Sequence, residues 1–205
     1  MKVLDLFSGL GGFSQAFKDR GHNVVTVDIN PKFKPIICMN VRWLEAKSLL
    51  MTYEYFDVVL ASPPCECFSV ASIGNHWKDN KPDKNTQEAI NIIKDLLNLI
   101  IDLHPKYWFL ENPRAMLRTI IGNPPVTVFY AQYGEDRLKP TDIWGRHPKG
   151  FKEMQIANKS LLDYTPAPRG SRNGTQGLKG ADVRAKIPYK LSECICKLCE
   201  NELRY

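Results

Sequence analysis

Short apolar runs alternate with longer amphipathic ones along this chain. "KVLDLF" (residues 2–7), "NVVTVD" (23–28), "PIICMN" (35–40), "FDVVLA" (56–61), "YWFLEN" (107–112), "PVTVFY" (125–130) and "TDIW" (141–144) are rich in β-branched and aromatic residues. Runs of that length and type predict buried strands. Between them, "GFSQAFKDRG" predicts a helix that stops at Gly21. The strongest helical pattern is Thr86–Leu103, with Ala89, Ile90, Ile93, Leu96, Leu97, Ile100 and Ile101 at helical spacing. A last helix is expected from Pro188 to about Leu203, with proline in its first turn.

Strands alternating with helices predict an α/β fold with a doubly wound, mostly parallel sheet. Ligands of such sheets lie beyond the C-terminal ends of the strands. Here those ends carry Ser8-Gly9, Asp28, Asn40, Pro63-Pro64-Cys65 and Glu111-Asn112. Two stretches, Val70–Asn85 and Gly145–Arg184, show no period. Loops of that length in a compact domain are usually functional or disordered.

Composition narrows the class. The chain has 205 residues, 43% apolar and 24% charged, which suits one ordinary globular domain over 1–205. No apolar run is long enough for a membrane span. The residues before Ser8 are too few for a signal peptide and read as a first strand. Six cysteines without a secretion signal suggest reduced thiols and a cytoplasmic location. The net charge is +6. From Pro166 to Lys190, Arg169, Arg172, Lys179, Arg184, Lys186 and Lys190 face only Asp182, so this window holds +5 of the total. It also holds four glycines, so its backbone can approach phosphates closely. The bland alternative is a solvated surface loop.

"DLFSGLGGFS" sets Gly9, Gly11 and Gly12 between a strand and a helix. Such a turn lets a ligand approach the backbone, though the pattern alone is weak. Asp28 closes the next strand, where an acid suits the hydroxyls of an adenosine ribose. Together they indicate an adenosine-containing cofactor, with nicotinamide dinucleotides and S-adenosylmethionine both allowed.

The stretch "SPPCECFS" (62–69) then has to be explained. Structural zinc usually needs paired cysteine knuckles, and Cys194 and Cys196 point to different sides of the last helix. A redox pair usually has two spacer residues, not one. Cys65, just past a buried strand and stiffened by two prolines, fits a nucleophile better. The acid at the same edge is Glu111, and a buried carboxyl can stay protonated and donate a hydrogen bond.

These segments, with "VDIN", "ENP" and "QYGEDRLKPTDIWG", occur in the order of the motifs of the DNA cytosine-5 methyltransferases, which the chain resembles. It is most similar to the small phage- and archaeal-type members. The resemblance implies S-adenosylmethionine as cofactor and DNA as substrate, in a prokaryotic or phage-infected host cell. It implies that Cys65 adds to carbon 6 of a flipped-out cytosine, with Glu111 on ring nitrogen 3. Phe7, Ser8, Gly9, Leu10, Gly11 and Gly12 would wrap the cofactor, with Asp28 on the ribose and Ile29 on adenine. Pro63 is expected beside the cofactor and Ser69 beside the nucleic acid.

Several positions depart from the family pattern. Glu66 follows the cysteine where glutamine is usual. Asn40 replaces the acid expected at the adenine amine. Lys139 stands where the first arginine of a Gln-x-Arg-x-Arg motif falls, and Thr141 replaces the second; whether Arg137 shares that task stays open. Ala185 and Lys186 stand where an asparagine is usual. The target recognition domain is reduced to about 146–182, which predicts a short target, loose specificity, or a partner or oligomer that supplies specificity. Arg169, Arg172, Lys179 and Arg184 would hold phosphates. The segment Val70–Asn85, with His76, Trp77, Lys78, Lys81 and Lys84, is expected to act as a lid over the base. His22, His104 and His147 are expected at turns or on the surface. No metal site is expected. An RNA cytosine methyltransferase, a nucleic-acid-binding relative without turnover, and an enzyme acting on free nucleotides remain as alternatives.

Overall fold

The computed structural model describes residues 1–70, 73–79, 81–154, 162 and 180–203. Seven strands form one sheet: β1 (Lys2–Leu6), β2 (Asn23–Asp28), β3 (Ile37–Cys38), β4 (Val58–Ala61), β7 (Tyr107–Pro113), β8 (Val126–Phe129) and β9 (Pro140–Arg146). Their order is β3-β2-β1-β4-β7-β9-β8. All seven runs predicted as strands contain one. The pairs from β3 through β7 are parallel, while β9 runs antiparallel between β7 and β8. A separate antiparallel hairpin pairs β5 (Trp77–Lys78) with β6 (Lys81–Pro82).

The strands alternate their side chains between two cores. Leu4, Leu6, Val25, Val27, Val59 and Ala61 face helices α2 (Ala46–Tyr53) and α4 (Lys84–Leu103). Val3, Val24, Val58, Leu60 and Phe109 face α1 (Gln15–Asp19) and α7 (Tyr189–Leu203). Helices on both faces make the sheet doubly wound. A short helix α5 (Arg118–Ile121) follows β7, and Arg118 Nε donates to the buried Asp142 carboxylate at 2.5 Å. No helix among the described residues is long and apolar enough to cross a membrane.

Helix α4 starts where Asp83 Oδ1 accepts from the Thr86 backbone at 2.7 Å, and it ends at His104 in the left-handed region. Its buried stripe runs through Thr86, Ile90, Ile93, Leu96, Leu99, Ile100 and Leu103. Ile101, expected on that stripe, is 65% exposed. Helix α2 carried no clear period, because Leu49 is its one fully buried side chain.

Register decides where the chemistry falls. Leu6 lies level with Val27 and with Ala61, and Ala61 is level with Leu110. The residues just past these positions, Phe7–Gly9, Asp28, Ser62–Cys65 and Glu111, therefore share one edge. Because β9 is antiparallel, Lys139, just before its first residue, is returned to that same edge.

Candidate active site

The turn after β1 is built around Asp28. Its Oδ2 accepts from the Gly9 backbone and its Oδ1 from the Asn30 backbone, both at 2.8 Å. Gly11 holds φ +73°, where a side chain would be strained. A Cβ on Gly12 would lie 2.8 Å from the Ile187 carbonyl oxygen, so this glycine admits the C-terminal segment.

Beside this turn opens a cleft of about 610 Å³, lined by Phe7, Ser8, Gly9, Leu10, Gly12, Asp28 and Ile29 on one side and Pro64 and Cys65 on the other. Leu10 is 45% exposed and Ile29 64%, a pair of apolar faces open to a flat ring. Two buried polar atoms along the cleft, Asp5 Oδ1 and Ser62 Oγ, have no protein partner. An adenosine-containing ligand with polar groups at its far end fits this lining. Asp5 signals itself as an acid inside an apolar strand. Burial pushes its carboxyl up to about 7, against a 2.5 Å bond donated by Ser14 Oγ.

Other expected cofactor residues sit outside the lining. Asn40 Oδ1 caps a short turn, accepting from the Arg42 backbone at 3.0 Å. Pro63, absent from the cleft lining, offers its carbonyl to Asn112 Nδ2 at 3.1 Å, which joins the turn after β4 to the end of β7. A larger shallow groove of about 1160 Å³ between α2 and α4 holds none of the predicted site residues. Size alone does not make it the candidate site, and the smaller cleft adjoins the chemistry.

The Pro-Pro-Cys turn is pinned from several directions. The Phe68 and Ser69 backbones donate to the Cys65 carbonyl at 3.0 and 2.9 Å. The Met116 backbone donates to the Phe68 carbonyl at 3.0 Å, and Trp77 Nε1 to the Cys67 carbonyl at 2.8 Å. Burial pushes the Cys65 thiol up, as does nearby Glu111, while Lys139 pulls it down. Burial also raises the Glu111 carboxyl, against the pull of Lys139 and a 3.2 Å bond donated by the Tyr130 hydroxyl. Lys139 is lowered by its own burial and lifted by Glu111 and Cys65. The three predicted catalytic side chains thus feel one another. All six cysteines are free thiols.

Lys139 Nζ donates to Tyr130 Oη at 3.1 Å and to the Arg184 carbonyl at 3.2 Å. Arg137 is buried beside it, paired to Glu135 at 3.0 Å, with Nη1 on the same Arg184 carbonyl at 3.2 Å. Helix α6 (Ala181–Ala185) therefore rests on both cations while its Asp182 and Ala185 line the cleft. Tyr130 carried no sequence signal beyond ending an apolar run.

The described residues of the aperiodic segment after Cys65 carry secondary structure. A short helix α3 (Ile73–His76) leads into the β5–β6 hairpin, Trp77 is buried, and His76 Nδ1 lies 3.0 Å from Asp83 Oδ2. Lys78, Lys81 and Lys84 are exposed along its outer side. Arg169, Arg172 and Lys179 lie outside the described residues.

Two histidines depart from expectation. His147 stacks on Phe109 at 4.9 Å between ring centroids and meets Phe151 edge-on, so it is a core residue held well toward its neutral form, with its pKa down to about 4 through burial. His22 Nε2 lies 2.9 Å from Glu200, whose two oxygens also receive Arg20 at 3.0 and 2.6 Å. Cys196 is close to both, but the guanidinium already occupies the carboxylate, which makes this an ion-pair network rather than a cation cage.

A family model for C-5 cytosine-specific DNA methylases matches residues 1–123. The chain belongs to that family. Over 219 residues it is 30% identical to a "Probable DNA (cytosine-5)-methyltransferase" of Frog virus 3 (isolate Goorha), covering 97% of this chain and 100% of that protein. It is 27% identical to the type II methyltransferase M.DdeI of Desulfomicrobium norvegicum, over 57% of this chain and 29% of that protein. This DNA methylase thus spans all of the viral relative but about a third of the bacterial one. Among solved structures, a Spodoptera frugiperda DNMT2 mutant matches 82% of this chain and 55% of its own, with TM-score 0.51 and 20% identity. The Entamoeba histolytica methyltransferase EhMeth matches 82% and 57%, with TM-score 0.50 and 17% identity. These likenesses show the methyltransferase fold.

Proposed function

We propose that the chain methylates carbon 5 of cytosine in DNA through a transient covalent bond between Cys65 and carbon 6 of the base. The observation that carries this reading is the convergence of Cys65, Glu111 and Lys139 at one sheet edge, beside a cleft with an acid-anchored glycine turn.

The chemistry follows from the environments. Carbon 5 of cytosine is a weak nucleophile. A thiolate added at carbon 6 turns it into an enamine carbon. Burial keeps Cys65 protonated at rest, so its thiol proton passes to solvent water as the sulfur bonds to carbon 6. Glu111, also held toward its neutral form by burial, donates its proton to ring nitrogen 3, which makes the ring an acceptor for sulfur. The buried ammonium of Lys139 offsets negative charge that develops on Cys65 or Glu111. S-Adenosylmethionine, when bound, supplies the methyl group that carbon 5 takes. Phe7, Leu10 and Ile29 would cover its adenosine, and the Asp28 carboxylate would accept from its ribose hydroxyls. Water then takes the carbon-5 proton, the C5–C6 double bond re-forms as the C6–S bond breaks, and the departing thiolate is reprotonated from solvent.

The exposed Lys78, Lys81 and Lys84 support a DNA path beside Cys65, and Glu66 adds an opposing charge there. We further read 1–205 as one catalytic unit whose 146–182 segment stands in for a target recognition domain, so sequence readout is short or comes from a partner. The test is transfer of labelled methyl from S-adenosylmethionine to duplex DNA by wild type and Cys65→Ala. Label with wild type alone supports the reading. A cytosine carrying fluorine at carbon 5 has no proton to lose there, so it should trap wild type covalently and leave Cys65→Ala free. Absence of both label and trapping on duplex DNA overturns it.

A further inference from the structure

The base site contains one group without a role so far. Tyr130 is fully buried at the end of β8, and its backbone N–H donates to the Leu138 carbonyl at 3.0 Å. Its hydroxyl oxygen lies 3.1 Å from Lys139 Nζ and 3.2 Å from Glu111 Oε1. Lys139 also sits 4.1 Å from the centre of the Tyr130 ring, and the Arg137 guanidinium 5.8 Å from it.

Lys139 and Thr141 both bond the Tyr130 oxygen, which leaves the phenol proton to face Glu111. An ammonium only donates, so the Tyr130 oxygen accepts from Lys139. A phenol has a single proton, which goes to Glu111 Oε1. A carboxyl oxygen that accepts in this way is not the oxygen that carries the acid proton, so that proton belongs on Oε2. Two cations around the ring keep the phenol from turning away.

We propose that Tyr130 is a positioning residue of the base site: its hydroxyl, oriented by Lys139, holds Glu111 with Oε1 turned inward and the acid proton on Oε2, the oxygen offered to the cytosine ring. This rests on the reading of Glu111 as the acid on ring nitrogen 3. The proton count closes. Oε2 gives its proton to nitrogen 3, the resulting carboxylate keeps the Tyr130 bond on Oε1, and the same proton returns when the product leaves. Tyr130 itself stays protonated throughout, so it steers the acid and consumes nothing.

The test is Tyr130→Phe, which keeps the ring beneath Lys139 and removes one oxygen. Two readouts are needed. The first is the infrared stretch of the protonated Glu111 carboxyl in the protein without substrates, assigned by its loss in Glu111→Gln. Removing the hydroxyl should shift this band to higher frequency and move its titration to higher pH, since a donor to the carboxylate has gone. The second is methyl transfer, where kcat should fall roughly tenfold while KM for DNA changes little and the alkaline limb moves up in pH. Lys139→Met, which frees the phenol from the other side, should shift the infrared band as well. An unmoved band in folded Tyr130→Phe overturns the proposal, whether or not the wild type turns over DNA. A shifted band with no turnover by wild type leaves Tyr130 in place and removes the functional reading instead. A uniform loss of activity with an unmoved pH profile would show a packing role and overturn the proposal too.

Discussion

Asn112 Nδ2 donates to the Pro63 carbonyl at 3.1 Å across the seam between β7 and the loop after β4. This bond joins the residue next to Glu111 with the stretch that delivers Cys65, so in the proposed mechanism it sets the spacing between acid and nucleophile. Asn112 is fully buried, and its Oδ1 has no protein partner. Asn112→Ala should cost about 1–3 kcal/mol of stability, the penalty of leaving the Pro63 carbonyl unpaired. It should lower kcat roughly tenfold to a hundredfold through misplacement of the reacting groups. KM for S-adenosylmethionine should hardly move, because Asn112 does not line the cofactor cleft. Steady-state methyl transfer and urea unfolding check both halves; a kcat equal to wild type would show that the seam does not set the geometry.

Asp5 makes stability depend on pH in an unusual direction for an acid. Its folded pKa is raised by burial from 3.8 to about 7. The neutral form is therefore the one the fold favours. The associated stability is fully present below about pH 4 and is lost as pH rises through 7. Asp5→Asn keeps a polar group for Ser14 and cannot ionise. Relative to wild type it should gain on the order of 3–4 kcal/mol between pH 4 and pH 8, read from urea midpoints at each pH. Parallel pH profiles for the two proteins would show that Asp5 does not titrate in this range.

The ion pair between Lys32 Nζ and Asp182 Oδ2, at 3.2 Å, spans the cofactor cleft from the turn after β2 to α6. Both partners are partly exposed, so the pair is weak and screened by salt. Asp182→Asn should speed release of S-adenosylmethionine by up to about fivefold at low salt, and the difference should vanish at high salt. Stopped-flow displacement measures this. A release rate that is unchanged at low salt would mean the strap does not restrain the ligand.

Much of this arrangement is legible in the amino-acid order, and the reasons differ by element. The central strands β1, β4 and β7 announce themselves because they are buried on both faces, in runs such as "FDVVLA". Cys65, Glu111 and Asp28 can be placed because parallel strands deliver their C-terminal ends to one edge. The antiparallel β9 between β7 and β8 depends on pairing across distant segments, which no local pattern encodes. Helix α2 escapes notice because it buries little. Asn40 is assigned by analogy to adenine, yet its side chain caps its own turn, a local bond that competes with a ligand. Tyr130 looks like the end of an ordinary apolar run and His147 like a polar loop residue; only three-dimensional neighbours give them a part.

The β5–β6 hairpin sets Lys78 directly opposite Lys81, with exposed Lys84 just beyond at the start of α4. Like charges on facing strand positions repel, a cost that a phosphate between them would relieve. The hairpin is also tied to the nucleophile turn, through the bond from buried Trp77 to the Cys67 carbonyl. Binding of a polyanion to these lysines would thus act on the segment that carries Cys65. Replacing Lys78, Lys81 and Lys84 together with alanine should weaken DNA binding and reduce the slope of log affinity against log salt by up to about 2.7, at about 0.9 for each phosphate no longer neutralised. Trp77→Phe, which removes the indole donor, should leave affinity near wild type and lower kcat, because only the tie to the cysteine turn is cut. Fluorescence anisotropy across a salt series, with single-turnover methyl transfer, separates the two effects; an unchanged salt slope in the triple variant would remove the hairpin from the DNA path.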